Sequence, residues 1–132
     1  MNQFDDKFID QTSFSYNDII GLDNWKTWTV AFGSLTVVGT PTYSGRYRVL
    51  GKSVQFQAAF SATTSVASNA GVDYLTLPVT AKGLTGFAYM TNASTMISCG
   101  ECHIDVTNSR CYLPTQGASS DLFNIVGWYE KG

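Results

Sequence analysis

Lys52-Ser-Val-Gln-Phe-Gln-Ala-Ala-Phe-Ser-Ala62 decides the fold class of this chain. Val54, Phe56, Ala58, Phe60 and Ala62 fall on one face of an extended segment, and Gln55, Gln57, Ala59 and Ser61 on the other. A period of two marks a half-buried antiparallel strand. It also argues against helical and parallel-sheet enzyme folds, whose elements repeat at 3.6 residues or read as continuous apolar runs. The segment sits between Gly45-Arg-Tyr-Arg-Val-Leu50 and a later strand that stops at Leu77-Pro78.

Outward from there the chain reads as strand after strand. Trp28 to Phe32, Leu35 to Val38, Arg46 to Leu50, Val72 to Leu77, Thr85 to Thr91, Thr95 to Cys99, Glu101 to Val106, Ser109 to Leu113 and Asp121 to Tyr129 carry strand character. Thr40-Pro41-Thr42 reads as a break, because proline offers no N–H to a ladder. Ser61 to Gly71, rich in Ser, Thr, Ala and Asn, reads as a loop. Many short strands with frequent turn signals predict an all-β antiparallel sandwich or barrel over residues 25–132. Residues 1–24 differ. They hold Asp5, Asp6, Asp10, Asp18 and Asp23 among scattered apolar residues, and read as an N-terminal arm or the remnant of a stalk.

Bulk composition narrows the function. The 132 residues suit one domain. Charged residues make up only 14%, so the surface is covered mostly by Ser, Thr, Asn, Gln and Gly. A net charge of −2 without a basic stripe argues against nucleic acid. No apolar run reaches the length of a membrane span. Met1 to Asp10 is acidic and lacks a long apolar core, so it does not read as a secretory signal. The expectation is synthesis in a cytoplasm with release by lysis, or export by another route.

The hairpin after Cys99 yields a register. With Thr107 and Asn108 as the two loop residues, Asp105 faces Arg110, Ile104 faces Cys111 and His103 faces Tyr112. Cys102, Ile104, Val106, Cys111 and Leu113 then point to the core, and Glu101, His103, Asp105, Arg110 and Tyr112 point outward. A cross-strand Asp105–Arg110 pair would contribute about 0.2–1 kcal/mol.

Several constellations carry chemistry on paper. Cys99-Gly-Glu-Cys102-His103 matches the C-x-x-C-H of c-type haem attachment, and Cys111 completes a zinc-like ligand count. Alternation places Cys102 and His103 on opposite faces, so small-residue core packing is the reading adopted for Cys102 and Cys111, with no cofactor. A metal or a single disulfide among the three cysteines stays open. His103 is the only histidine, and no nucleophile motif accompanies it. Paired carboxylates for glycoside cleavage stay open too, but with ten acids in all, five of them within the first 23 residues, the reading is non-enzymatic. Trp28 and Trp128 read as core, and Arg46 and Arg48 as the outer face of a strand. Tyr74 and Tyr112 are candidates for exposed stacking on sugars. Asn92-Ala93-Ser94 is a glycosylation sequon.

In order along the chain, Trp25-Lys-Thr-Trp28, Gly45-Arg-Tyr-Arg-Val-Leu-Gly51-Lys-Ser-Val54-Gln-Phe56, Leu75-Thr-Leu77-Pro78, Leu113-Pro114 and Ile125-Val-Gly127-Trp128-Tyr129 resemble the C-terminal head domains of phage tail-fibre and receptor-binding proteins. The resemblance covers about residues 25–130. It implies a jelly-roll-like sandwich assembled as a homotrimer, located on the virion, binding a host surface saccharide or protein without chemistry, with residues 1–24 meeting other virion proteins. On this reading the candidate binding residues are His103, Asp105, Arg110 and Tyr112, with Asp73 and Tyr74. Two features depart from the family: only a short arm precedes the head, and C-x-x-C-H is no part of the pattern. The rival reading is a capsid-decoration or fibre-assembly module with no ligand outside the virion. A cellular jelly-roll trimer of the complement or tumour-necrosis-factor type is a minor one, since its aromatic and glycine motifs are missing.

Overall fold

A computed structural model of the chain describes residues 25–132. The arm expected over residues 1–24 lies outside the described residues. Among the described residues the protein is all-β, with twelve strands and no helix: β1 (Lys26–Thr27), β2 (Phe32–Gly33), β3 (Thr36–Val38), β4 (Pro41–Leu50), β5 (Ser53–Ala62), β6 (Ser65–Ser68), β7 (Tyr74–Thr76), β8 (Ala81–Asn92), β9 (Ile97–Asp105), β10 (Arg110–Tyr112), β11 (Gln116–Ser119) and β12 (Phe123–Lys131). Nine form one sheet in the order β1-β4-β5-β12-β8-β9-β10-β7-β2, and three form a second in the order β11-β6-β3. All the pairings are antiparallel.

The alternation in β5 is realised: Val54, Phe56, Ala58, Phe60 and Ala62 are all buried, and the residues between them are half-exposed. The closing strand β12 lies between β5 and β8 and repeats the pattern, burying Phe123, Ile125, Gly127 and Tyr129. Phe60 stacks on Phe123 with centroids 5.2 Å apart, and Phe56 meets Tyr129 at 5.9 Å. The large sheet curls. Phe32 on the β2 edge returns to within 5.1 Å of Phe60 and 4.9 Å of Tyr43, ring to ring, which closes the core between distant strands.

Several elements differ from the sequence reading, each for a local reason. Pro41 does not interrupt the sheet. It is the first residue of β4, opposite Ala62, a position where no N–H is demanded. Gly51 with φ of 63° and Lys52 make the two-residue turn of the β4–β5 hairpin, the left-handed conformation that glycine adopts without penalty. The expected loop 61–71 contains β6, and β11 was not foreseen; these short strands pair with each other rather than extending the large sheet. The segments 95–99 and 101–106 are one strand, β9, bent at Gly100 with φ of 130°. Through that bend β9 pairs with β8 up to Cys102 and with β10 from His103 onward. Trp128 is not a core residue. It lies on the outer face of β12, because Gly127 and Tyr129 take the inward positions. Trp28 packs against the core as expected.

The buried Tyr129 hydroxyl ties β12 to the segment before β8: it donates to the Val79 carbonyl at 2.7 Å and accepts from the Val79 N–H at 3.0 Å. Burial raises the Tyr129 phenol well above its ordinary pKa. Removing the hydroxyl strips both Val79 groups of a partner. Tyr129→Phe should therefore lose about 1–3 kcal/mol of stability in denaturant unfolding, with an unchanged circular dichroism spectrum.

Candidate functional site

The site is built by three short ladders. Antiparallel register places His103 of β9, Tyr112 of β10, Tyr74 of β7 and Gly33 of β2 in one cross-strand row. Asp105, Arg110 and Thr76 form the next outward row. Between these rows lie Ile104, Cys111, Leu75 and Phe32, which point the other way; the first three are buried and Phe32 packs against the core. The hairpin register read from the sequence is the one observed. The turn is not: it spans residues 106–109, with Ser109 in the left-handed region at φ of 55°. Ser109 is held there because its carbonyl accepts from the Leu77 N–H and its Oγ accepts from the Ala81 N–H. Val106 consequently packs only partly against the core.

Outward alternation gathers aromatic and charged groups. Tyr74 and Tyr112 meet edge to face at 5.5 Å, and the His103 ring lies 6.5 Å from Tyr112. The Arg110 guanidinium sits 4.1 Å from the centre of the Tyr74 ring, and its Nη1 donates to the Tyr112 hydroxyl at 3.2 Å. Such ring and cation contacts are each worth about 0.5–1.5 kcal/mol and fix the rings in place. Gly33 completes the platform: a Cβ there would strike the Tyr74 ring, so only glycine lets the phenol lie flat across β2.

Asp105 does not make the ion pair expected of it. Its Oδ1 accepts from the N–H groups of Thr107 and Asn108, and its Oδ2 from the Asn108 side-chain amide at 2.9 Å. The Asn108 side chain, followed by the backbone donors of the turn, holds the Asp105 carboxyl below its ordinary pKa. Asp105 thus closes the hairpin beside the platform.

Asp73 does not stand on the surface. It is 1% exposed, with Oδ2 accepting from the Asn69 N–H at 2.7 Å and Oδ1 without a protein partner. Its backbone carbonyl accepts from the Leu113 N–H. It therefore braces the loop 69–73 from behind, and an inward carboxylate at that position cannot contact an outside ligand. This corrects its assignment as a binding residue.

That loop forms one wall of a cleft of about 430 Å³ beside the platform. His103 and Tyr112 line it, with Glu101, Gly71, Pro114 and Thr115. Glu101 reads from the sequence only as an outward residue of β9, and its spacing of two from His103 is the signal that puts it in the cleft. Gly71, Pro114 and Thr115 come from loops whose path no periodicity encodes.

The remaining motifs find structural roles. Cys102 and Cys111 are buried and Cys99 is half-buried, all three as free thiols. Cys102 faces the core while His103 faces solvent, so a C-x-x-C-H ligand set cannot converge from one side. A hydrogen bond to Cys102 and burial push the Cys111 thiol well above its ordinary pKa. Asn92 of the sequon is buried. Its amide donates to Asp121 at 2.9 Å and its Oδ1 caps the N–H groups of Ser94 and Thr95.

Searches against protein-family models, curated proteins and solved structures find no match to this chain.

Two outcomes follow from this geometry. Gly33→Ala should displace the Tyr74 ring, read as a loss of near-ultraviolet circular dichroism with the far-ultraviolet spectrum unchanged. Because the folded Asp105 carboxyl is held below its unfolded value, its contribution to stability is present above the unfolded pKa. It fades as the pH falls through the folded one. The thermal midpoint should therefore drop on acidification through the carboxylate range, and Asp105→Ala should flatten that dependence.

Proposed function

We propose that this protein is a receptor-binding head of the phage tail-fibre type, recognising a host cell-surface glycan without chemistry. The observation that carries the reading is the Tyr74–Tyr112–His103 platform with Arg110, opening onto the cleft that contains Glu101. Ring faces and edges suit the apolar C–H face of a pyranose. A carboxylate, an imidazole and a guanidinium suit its hydroxyls. Among the residues lining the cleft Glu101 is the one carboxylate, whereas glycoside cleavage ordinarily needs two. The order of sequence elements over residues 25–130 supports the family, and the finer architecture that goes with it is a jelly-roll sandwich assembled as a homotrimer on the virion. Three linked copies would raise weak sugar affinity by about 10²–10⁴.

A second reading, an assembly module that meets only other virion proteins, is favoured by one feature. Met96 and Ile97 at the β8–β9 turn are 86% and 65% exposed, next to the partly exposed Leu122. Such an apolar tip is suited to protein contact.

A glycan array read with the full chain separates them. The receptor reading expects saturable binding to a defined set of bacterial surface glycans and a mass in solution of three times the 14.4 kDa chain. It also expects Tyr112→Ala to weaken binding about tenfold, the loss of one ring contact, with the far-ultraviolet circular dichroism spectrum of the folded protein retained. An array without binding, or binding indifferent to Tyr112→Ala, would contradict it.

A further inference from the structure

Around the curled sheet from the cleft, the outer face of β4, β5, β12 and β8 carries a second set of groups that the proposed function does not use. The ladders set them in two rows. One runs Arg48, Gln55, Trp128, Phe87; the other runs Arg46, Gln57, Val126, Tyr89. Phe87, Tyr89 and Val126 are 43%, 49% and 51% exposed. Phe87 stands edge to face with Trp128 at 5.5 Å and with Tyr89 at 5.8 Å. Both Arg46 and Arg48 lie 4.5 Å from the centre of the Trp25 ring. Between the rows runs a groove of about 280 Å³, and across Gln57 and Val126 it continues into a hollow of about 460 Å³ that Arg46 lines.

The polarity of the first groove is one-sided. The Oε1 of Gln57 accepts from Arg46 Nε at 2.8 Å, and the Oε1 of Gln55 accepts from Arg48 Nε at 2.7 Å. With both amide oxygens engaged, the amide NH₂ groups remain as donors, and Arg46 adds its charge from the adjoining hollow. No carboxylate lines the groove or the hollow among the described residues. The floor is a sheet face whose backbone groups are consumed in the β5–β12–β8 ladders, so a peptide strand cannot be added there. An incoming peptide would also bring N–H donors into a groove short of acceptors among the described residues. Positive charge, flat exposed rings and surplus donors complement a ligand that is anionic, rich in acceptor oxygens and apolar on one face.

We propose that this groove is a second ligand site, and that it takes an acidic saccharide carrying sugar carboxylates. Pyranose faces stack on Trp128 and Phe87, and the carboxylates meet Arg46 and the glutamine amides. The site is separate from the Tyr112 cleft and does not depend on it.

Trp25 and Trp128 both line the groove, so intrinsic fluorescence reports on it. The full chain is titrated with tetragalacturonate and with oligosialic acid, each against its neutral methyl ester. The expected result is a saturable change in emission with at least one acidic oligomer, at least tenfold tighter than with its ester and weakened by salt. Phe87→Ala and Arg46→Gln should each lower that affinity about tenfold while the far-ultraviolet circular dichroism spectrum stays that of the folded protein, and Tyr112→Ala should leave it intact. The proposal is overturned by no saturable change with either acid, by equal affinity for the esters, or by a loss on Tyr112→Ala but not on Phe87→Ala. The first proposed site is read by Tyr112→Ala on the glycan array, so the two failures are distinguishable.

Discussion

The structure depends on one constraint: side chains along β5, β12 and β8 must alternate in phase across three paired strands. Phe60, Phe123 and Asn92 meet at one level, and Phe56, Gly127 and Ala88 at another. The second level works because Gly127 has no side chain. A Cβ there would collide with Ala88, so the bulk between these strands is supplied by Phe56 alone. A slip of one residue would turn Phe56, Phe60, Phe123 and Tyr129 outward together. Fully burying each such aromatic stabilises by about 1.5–3 kcal/mol, so the register is held by a sum that no single surface contact rivals.

The same in-phase rule makes the outer surface. Whatever the inner rows fix, the intervening residues are carried to solvent in register. That is how His103, Tyr112 and Tyr74, distant in sequence, come to share a row. It is also how Trp128, Phe87, Tyr89 and the two arginine–glutamine pairs come to share a face. The bend at Gly100 divides these two surfaces by passing β9 from one partner to the other. A platform of rings held by Gly33 and Arg110 is preorganised, which limits the ordering cost that binding would otherwise carry.

Much of this was legible in the sequence where period two was clean. The eleven residues from Lys52 to Ala62 revealed their buried face, and residues 101–112 revealed their pairing. The outward grouping of His103, Arg110 and Tyr112 came with it. Legibility failed where side chains answer to the loop rather than to the strand. Asp73 looks like a surface acid beside Tyr74, but its carboxylate serves the Asn69 N–H. Asp105 looks like the partner of Arg110, yet the turn N–H groups reach it first, and Arg110 turns to the Tyr74 and Tyr112 rings instead. Trp128 reads as core by its size, but its neighbours Gly127 and Tyr129 take the inward positions. The short strands β6 and β11 lack the length for a periodic signal, and pair because the chain around them is held.

Hydroxyl-radical footprinting with mass spectrometry tests the alternation most directly, because it reads side-chain exposure residue by residue in solution. The account predicts rapid oxidation of Met96, Tyr89 and Phe87, intermediate oxidation of Tyr74 and Tyr112, and protection of Phe56, Phe60, Met90, Phe123 and Tyr129. Oxidation of Phe56 and Phe60 at the rate of Phe87 in the folded protein would contradict it.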